Sequence, residues 1–178
     1  GCSWPLTKNE RKVLIGAAAA QRSTGATILI HPGRNVRAPF EILDLLSESG
    51  ADLSRVIMGH LDRTIDDPSV LLELAARGSC LEFDLFGWET SNYPLSEIDM
   101  PSDVQRMVFI KHLIDAGYVE RIVLAHDVCT KDRQARYGGH GISHILENVV
   151  PRMGDKNITS DEIETMLIRN PARLLAFP

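Results

Sequence analysis

The chain has 178 residues, of which 44% are hydrophobic and 24% charged, and its net charge is −5. Those proportions fit a soluble globular protein and exclude intrinsic disorder. No Lys/Arg cluster is present to follow a phosphate backbone, which excludes nucleic acid as an expected partner. No apolar run approaches the ~20 residues of a membrane span. Cys2, Cys80 and Cys129 are too few for a disulfide framework and point to a reducing, cytoplasmic compartment, each thiol reading as buried or inert. The opening Gly1-Cys2-Ser3-Trp4-Pro5 has neither a basic nor an apolar leader region, so no secretory signal is expected.

In chain order, a helix is expected from residue 8 to about 24, with Val13, Leu14, Ala17, Ala18 and Gln21 on its stripe and Gly25 as its stop. The apolar run 27–31 follows as a strand. A second helix opens at Pro39, carries Ile42, Leu45 and Leu46 at helical spacing, and closes at Gly50. After a strand at 56–60 a third helix opens at Asp67-Pro68, buries Leu71, Leu74 and Ala75, and stops at Gly78. The strand 79–84 leads into a long connection, 85–100. A fourth helix then starts near Pro101-Ser102-Asp103, with Met107, Ile110, Leu113 and Ile114 on one side and Gly117 as its end. The last strand is 121–127. The tail is helical at 140–150 and again after a capping box, Thr159 with Glu162, while Asn170-Pro171 breaks and restarts the helix. Strict alternation of this kind means βαβ units and a parallel sheet, with short apolar strands buried on both faces.

The chemistry lies at strand ends. Three of the four strands finish in a metal-competent side chain, His31, His60 and Asp127. Parallel α/β sheets collect their active sites at those carboxyl ends. Neutral imidazoles with a carboxylate suit a divalent metal, zinc foremost. Asp62, two residues after His60, is placed to orient a ligand or relay a proton, or alternatively to cap a turn. The connection 85–100, with Trp88 and Tyr93, is long for a βα loop and reads as a lid. A second long loop, 128–139, runs through Arg133, Arg136 and Tyr137 into Gly138-Gly139-His140-Gly141, glycines that suit close backbone approach. Trp88, Tyr93, Arg136 and His140 are therefore the expected substrate-binding residues. His112 and His144 read as surface or packing residues. Cys129 near His126 is a minor nucleophilic alternative, and no phosphate-binding glycine loop follows any strand.

With His31-Pro-Gly, Gly59-His60-Leu-Asp62, Ala125-His126-Asp127 and Asn170-Pro171-Ala-Arg-Leu-Leu together, the chain resembles the phosphotriesterase family of the amidohydrolase superfamily over essentially its whole length. The resemblance implies a (β/α)₈ barrel with two divalent metals per complete site. In that family the metals are held by a His-x-His pair on strand 1, a bridging carboxylate on strand 4, single histidines on strands 5 and 6, and an Asp on strand 8. By that resemblance His31 and His60 share one metal, Asp127 serves the other and is the general base, and Asp62 holds a proton-relay position. No His-x-His occurs here. Residues 1–178 therefore read as one partial domain, the C-terminal half of the barrel: strands 5–8 with the closing helices. The implied activity is metal-assisted hydrolysis of a small amide or ester, an N-acyl taurine before a lactone or phosphotriester, with the site incomplete in this chain. Four strands cannot close an eight-stranded barrel, so self-association or a separate N-terminal half is expected. The alternatives are an inactive half-barrel that serves as a binding module, and a flavodoxin-like binding domain.

Overall fold

The computed structural model of the chain describes residues 1–90, 92–96 and 98–176. Four short strands, β1 (Ile28–Ile30), β2 (Val56–Met58), β3 (Cys80–Phe83) and β4 (Ile122–Leu124), form one sheet in chain order. Every pairing is parallel, with Ile28 opposite Val56, Ile57 opposite Cys80 and Leu81 opposite Ile122. Helices α1 (Lys8–Thr24), α2 (Ala38–Glu48), α3 (Pro68–Ala75) and α4 (Asp103–Asp115) alternate with them. Sheet order equal to chain order is the arrangement of consecutive βα units in a barrel wall.

The strand period of two divides the sheet into unequal faces. Ile30, Val56, Met58, Leu81, Phe83 and Ile122 point to the helices and enter the main core with Leu14, Leu43, Leu71 and Met107. Each such burial is worth about 1.5–3 kcal/mol, so most of the fold's stability lies on this side. The opposite face holds only a small cluster of Ile57, Cys80, Val123 and Leu174. Leu29, on that face at the edge strand, is 65% exposed. The expected burial of both faces therefore holds for the helix side alone.

The tail closes one end of the sheet. It consists of α5 (Val150–Met153), α6 (Ser160–Glu164) and α7 (Asn170–Leu175). Asn170 Nδ2 donates to the carbonyls of Val119 and Ile122 at 2.9 and 2.8 Å. Arg55 reaches the carbonyls of Leu174 and Ala176. All these partners lie at the amino ends of the strands, so α7 seals that end and leaves the carboxyl end free. Asn170-Pro171 does not break the helix as expected: a π-helical turn, Thr165–Arg169, carries the chain into α7. The same device, Ile145–Val149, precedes Val150-Pro151. A wider turn accommodates the proline's missing N–H and ring without ending the helix.

Candidate functional site

The strands are shorter than their apolar runs, so the polar residues that close those runs stand just outside the sheet. His31 directly follows β1, His60 lies two residues after β2, and Asp127 three after β4. His60 and Asp127 have φ of 54° and 46°. Left-handed backbone at non-glycine residues costs about 1–3 kcal/mol and concentrates at functional sites. His31, His60, Glu82, Asp84 and Asp127 line one cleft of about 330 Å³ at the carboxyl end of the sheet. The three strand-end residues thus share one cleft.

The two histidines form the tightest part of it. His31 Nδ1 lies 2.6 Å from His60 Nε2. The outer nitrogens are also engaged, His31 Nε2 with Arg63 at 3.1 Å and His60 Nδ1 with Asp84 Oδ1 at 2.9 Å. A guanidinium can only donate, so His31 Nε2 accepts, His31 Nδ1–H donates to His60 Nε2, and His60 Nδ1–H donates to Asp84. The main-chain N–H of His60 also donates to both oxygens of Asp84, each at 3.1 Å. Asp84 therefore fixes both the backbone and the ring of His60, the support that metal-ligating histidines generally have. Burial, with the His60 ring and Arg63 adding to it, pulls His31 down to about 4, so its ring is neutral at physiological pH.

Glu82 and Asp84 are two apart on β3 and its continuation, hence on the same face. Burial, then the neighbouring Asp84 carboxylate, push the Glu82 carboxyl up to about 8, so it carries a proton at neutral pH. Gly59 makes room for both acids: a Cβ there would stand 3.0 Å from Glu82 Oε2, 3.1 Å from Asp84 Oδ2 and 2.9 Å from the Ile30 carbonyl.

The nitrogens that face each other are the donor type a divalent ion takes, and a shared hydrogen bond now occupies the space between them. Among the described residues no three His, Cys, Asp or Glu side chains stand in metal-holding geometry. The donor chemistry of His31 and His60 fits part of a coordination shell.

Other expected site residues lie elsewhere. Asp62 is fully buried, with its Oδ2 accepting from Arg106 Nε at 2.8 Å and from the Leu85 N–H at 3.0 Å. Burial pushes Asp62 up to about 6 against the pull of Arg106, which leaves it ionised at neutral pH. Its carboxylate faces a helix rather than the histidine cleft. Tyr93 is buried with Leu85 and Met100, and its hydroxyl accepts from Arg34 Nε at 2.7 Å. Arg136 is exposed beside the Tyr137 ring. Trp88 and His140 line a separate cavity of about 430 Å³ between the two long loops. His144 is buried, bonded to Asp103 at 2.6 Å, and His126 accepts from the Ile145 N–H at 2.9 Å. Cys80 is buried, Cys2 half-buried and Cys129 exposed, so of the thiols expected to be buried or inert only Cys129 stands open to solvent.

Sequence reasoning missed Arg63, Glu82, Asp84 and Arg133. For the acids a signal existed, since two carboxylates at i and i+2 interrupt an otherwise apolar strand. Nothing in the local pattern marks the two arginines.

The sequence matches the Phosphotriesterase family over residues 1–175. The chain belongs to that family. It is 57% identical over 176 residues to the N-acetyltaurine hydrolase of Dictyostelium discoideum, covering 98% of this chain and 48% of that protein. It is 52% identical to the N-acetyltaurine hydrolase of Mus musculus, covering 99% of this chain and 51% of that one. The chain thus spans about half the length of the curated relatives it matches. Among solved structures, a resiniferatoxin-binding protein from Rhodobacter sphaeroides superposes with a TM-score of 0.92 at 35% identity, over 98% of this chain and 49% of that chain. The phosphotriesterase homology protein of Escherichia coli, solved with phosphate in its active site, gives 0.85 at 28% identity, over 98% and 56%. A four-stranded parallel sheet that covers half of such chains is a half-barrel.

Proposed function

We propose that this chain is the C-terminal half, strands five to eight, of a zinc-dependent barrel hydrolase that cleaves N-acyl taurines. The observation that carries this reading is the cleft in which His31 Nδ1 and His60 Nε2 face each other at 2.6 Å beside Asp127. The relatives named N-acetyltaurine hydrolase support an amide as the bond cut. A complete site would hold two divalent ions, His31 and His60 sharing one and Asp127 serving the other. The remaining ligands, a His-x-His pair and a bridging carboxylate, would come from the other half of the barrel. Bound metal lowers the pKa of a water and polarises the carbonyl.

The chain's own residues have separable tasks. Asp84 holds the His60 ring with its Nε2 turned into the cleft, and Arg63 does the same for His31. His31 is neutral but carries its one ring proton on Nδ1, so that proton has to leave Nδ1 before this nitrogen can hold a metal. Asp127, with its side chain 34% exposed, is the carboxylate open to the cleft and takes the proton from the attacking water. Asp62 acts at one remove, as a structural anchor. Three free cysteines support a cytoplasmic setting.

The test uses the barrel completed with a half that carries the His-x-His pair and bridging carboxylate. With Zn²⁺ supplied, Asp127→Asn should lower N-acetyltaurine hydrolysis by about 10²-fold or more, because base and ligand are lost together. Full activity in that variant would refute the assignment. A second reading, a half-barrel that only binds a partner, is favoured by the lack of a three-ligand cluster among the described residues.

A further inference from the structure

The loop after β4 carries a cation that the histidine cleft does not use. Arg133 donates from its two terminal nitrogens to the main-chain carbonyls of Asp127 and His126. Its place is thereby tied to Asp127. The guanidinium lies 4.6 Å over the Trp88 ring, and its side chain is 12% exposed. Among the described residues the carboxylate nearest to it, Asp127, stands at 3.8 Å, beyond hydrogen-bond length. Of five guanidinium N–H donors, two serve those carbonyls, and among the described residues the other three have no hydrogen-bond partner.

Arg133 also forms part of the wall of the cavity between the two long loops, with Phe86, Trp88 and Thr90. Among the described residues the buried Thr90 hydroxyl has no hydrogen-bond partner. The acids of that wall do not neutralise the arginine: Glu89 accepts from the Asp103 N–H at 2.7 Å, and Asp132 is exposed. A mostly buried guanidinium with spare donors and an aromatic wall is a receptor for a multi-oxygen anion.

We infer that Arg133 binds the acid group of the substrate, a sulfonate two carbons from the amide nitrogen, while the amide itself lies at Asp127. This assignment rests on the amide-hydrolase reading above. From the amide carbon to the sulfur is four bonds, about 5 Å when extended, judged from ordinary bond lengths. A molecule of that length can touch both groups, since the guanidinium lies 3.8 Å from the Asp127 carboxylate. An amide with a neutral amine portion would leave the spare donors unpaired in a partly dry site, and sites built for a polar group reject analogues that lack it.

The test compares N-acetyltaurine, N-acetyl-β-alanine and neutral N-acetylpropylamine on the whole protein, by kcat/KM and by calorimetric binding. The wild type should prefer the sulfonate over the neutral amide by about 10²-fold or more. Arg133→Gln should erase at least about tenfold of that preference, and Arg133→Lys should keep an intermediate share. An equal loss on all three amides, or none, would show that Arg133 only supports the Asp127 loop and would overturn the inference. A wild-type preference for the carboxylate would overturn the sulfonate assignment. If the wild type cleaves none of the three, the amide-hydrolase reading fails separately and binding decides. N-acetyltaurine affinity about tenfold weaker in Arg133→Gln would then uphold the anion site, and affinity that is unchanged or absent would overturn it.

Discussion

Around His31 and His60 each polar group has a definite donor or acceptor role, from Arg63 through both rings to Asp84. Glu82 stands beside that chain and sets its response to pH. Its carboxyl rises from the usual 4.5 to about 8 on folding. The fold favours the protonated form, so this contribution is complete below about 4.5 and is lost as pH rises through about 8. His31 behaves oppositely: its value falls to about 4, so its contribution is present above the ordinary 6.5 and is lost as the solution is acidified through about 4. In metal-free buffer, where the His31 contribution is complete above about 6.5, urea midpoints of the wild type should decline between pH 6.5 and 8.5. Glu82→Gln should flatten that decline, and an unchanged slope would refute the role given to Glu82.

At the scale of elements, α4 holds the segments that follow β2 and β3. Arg106 Nε binds Asp62 at 2.8 Å, Nη1 binds Asp103 at 2.9 Å and Nη2 binds the Trp88 carbonyl at 2.8 Å, all in the interior. The segments after β2 and β3 thus meet on one side chain. Replacing Arg106 with Met would leave two buried carboxylates without their cation, at a cost of about 3–5 kcal/mol. Chemical denaturation should show that loss, and a change below about 1 kcal/mol would contradict the anchoring role.

Much of this architecture was legible in the sequence. The capping box Thr159–Glu162, the start near Ser102 and the stop at Gly25 give clear boundaries, and the structure has them, with a second capping box at Ser102–Gln105 that the sequence reading did not single out. His31, His60 and Asp127 were legible because a polar residue closing an apolar run sits at a parallel strand's carboxyl end. Asp62 illustrates the limit: its spacing from His60 suggested a relay, but its partner Arg106 is 44 residues away, a pairing that no local pattern encodes. Arg133 was obscure for a different reason: its partners are the main-chain carbonyls six and seven residues before it, which no side-chain pattern marks. The π turns before Pro151 and Pro171 escaped because a proline in a helical pattern ordinarily signals a stop.

For the whole molecule, the decisive asymmetry is between the two faces of the sheet. The helix side is packed, whereas the face that would line a barrel exposes Leu29 and carries only a few buried side chains. The cleft of His31, His60 and Asp127, which Leu29 also lines, borders that thin face, and the proposed function has the other barrel half supply the remaining ligands there. Among the described residues no helix is long and apolar enough to cross a membrane. The most direct test is Zn²⁺-supplemented hydrolysis of N-acetyltaurine by the 178-residue chain, alone and after complementation with a half carrying the His-x-His pair and bridging carboxylate. The account predicts no turnover by the chain alone and restored turnover on complementation; robust turnover by the chain alone would contradict it.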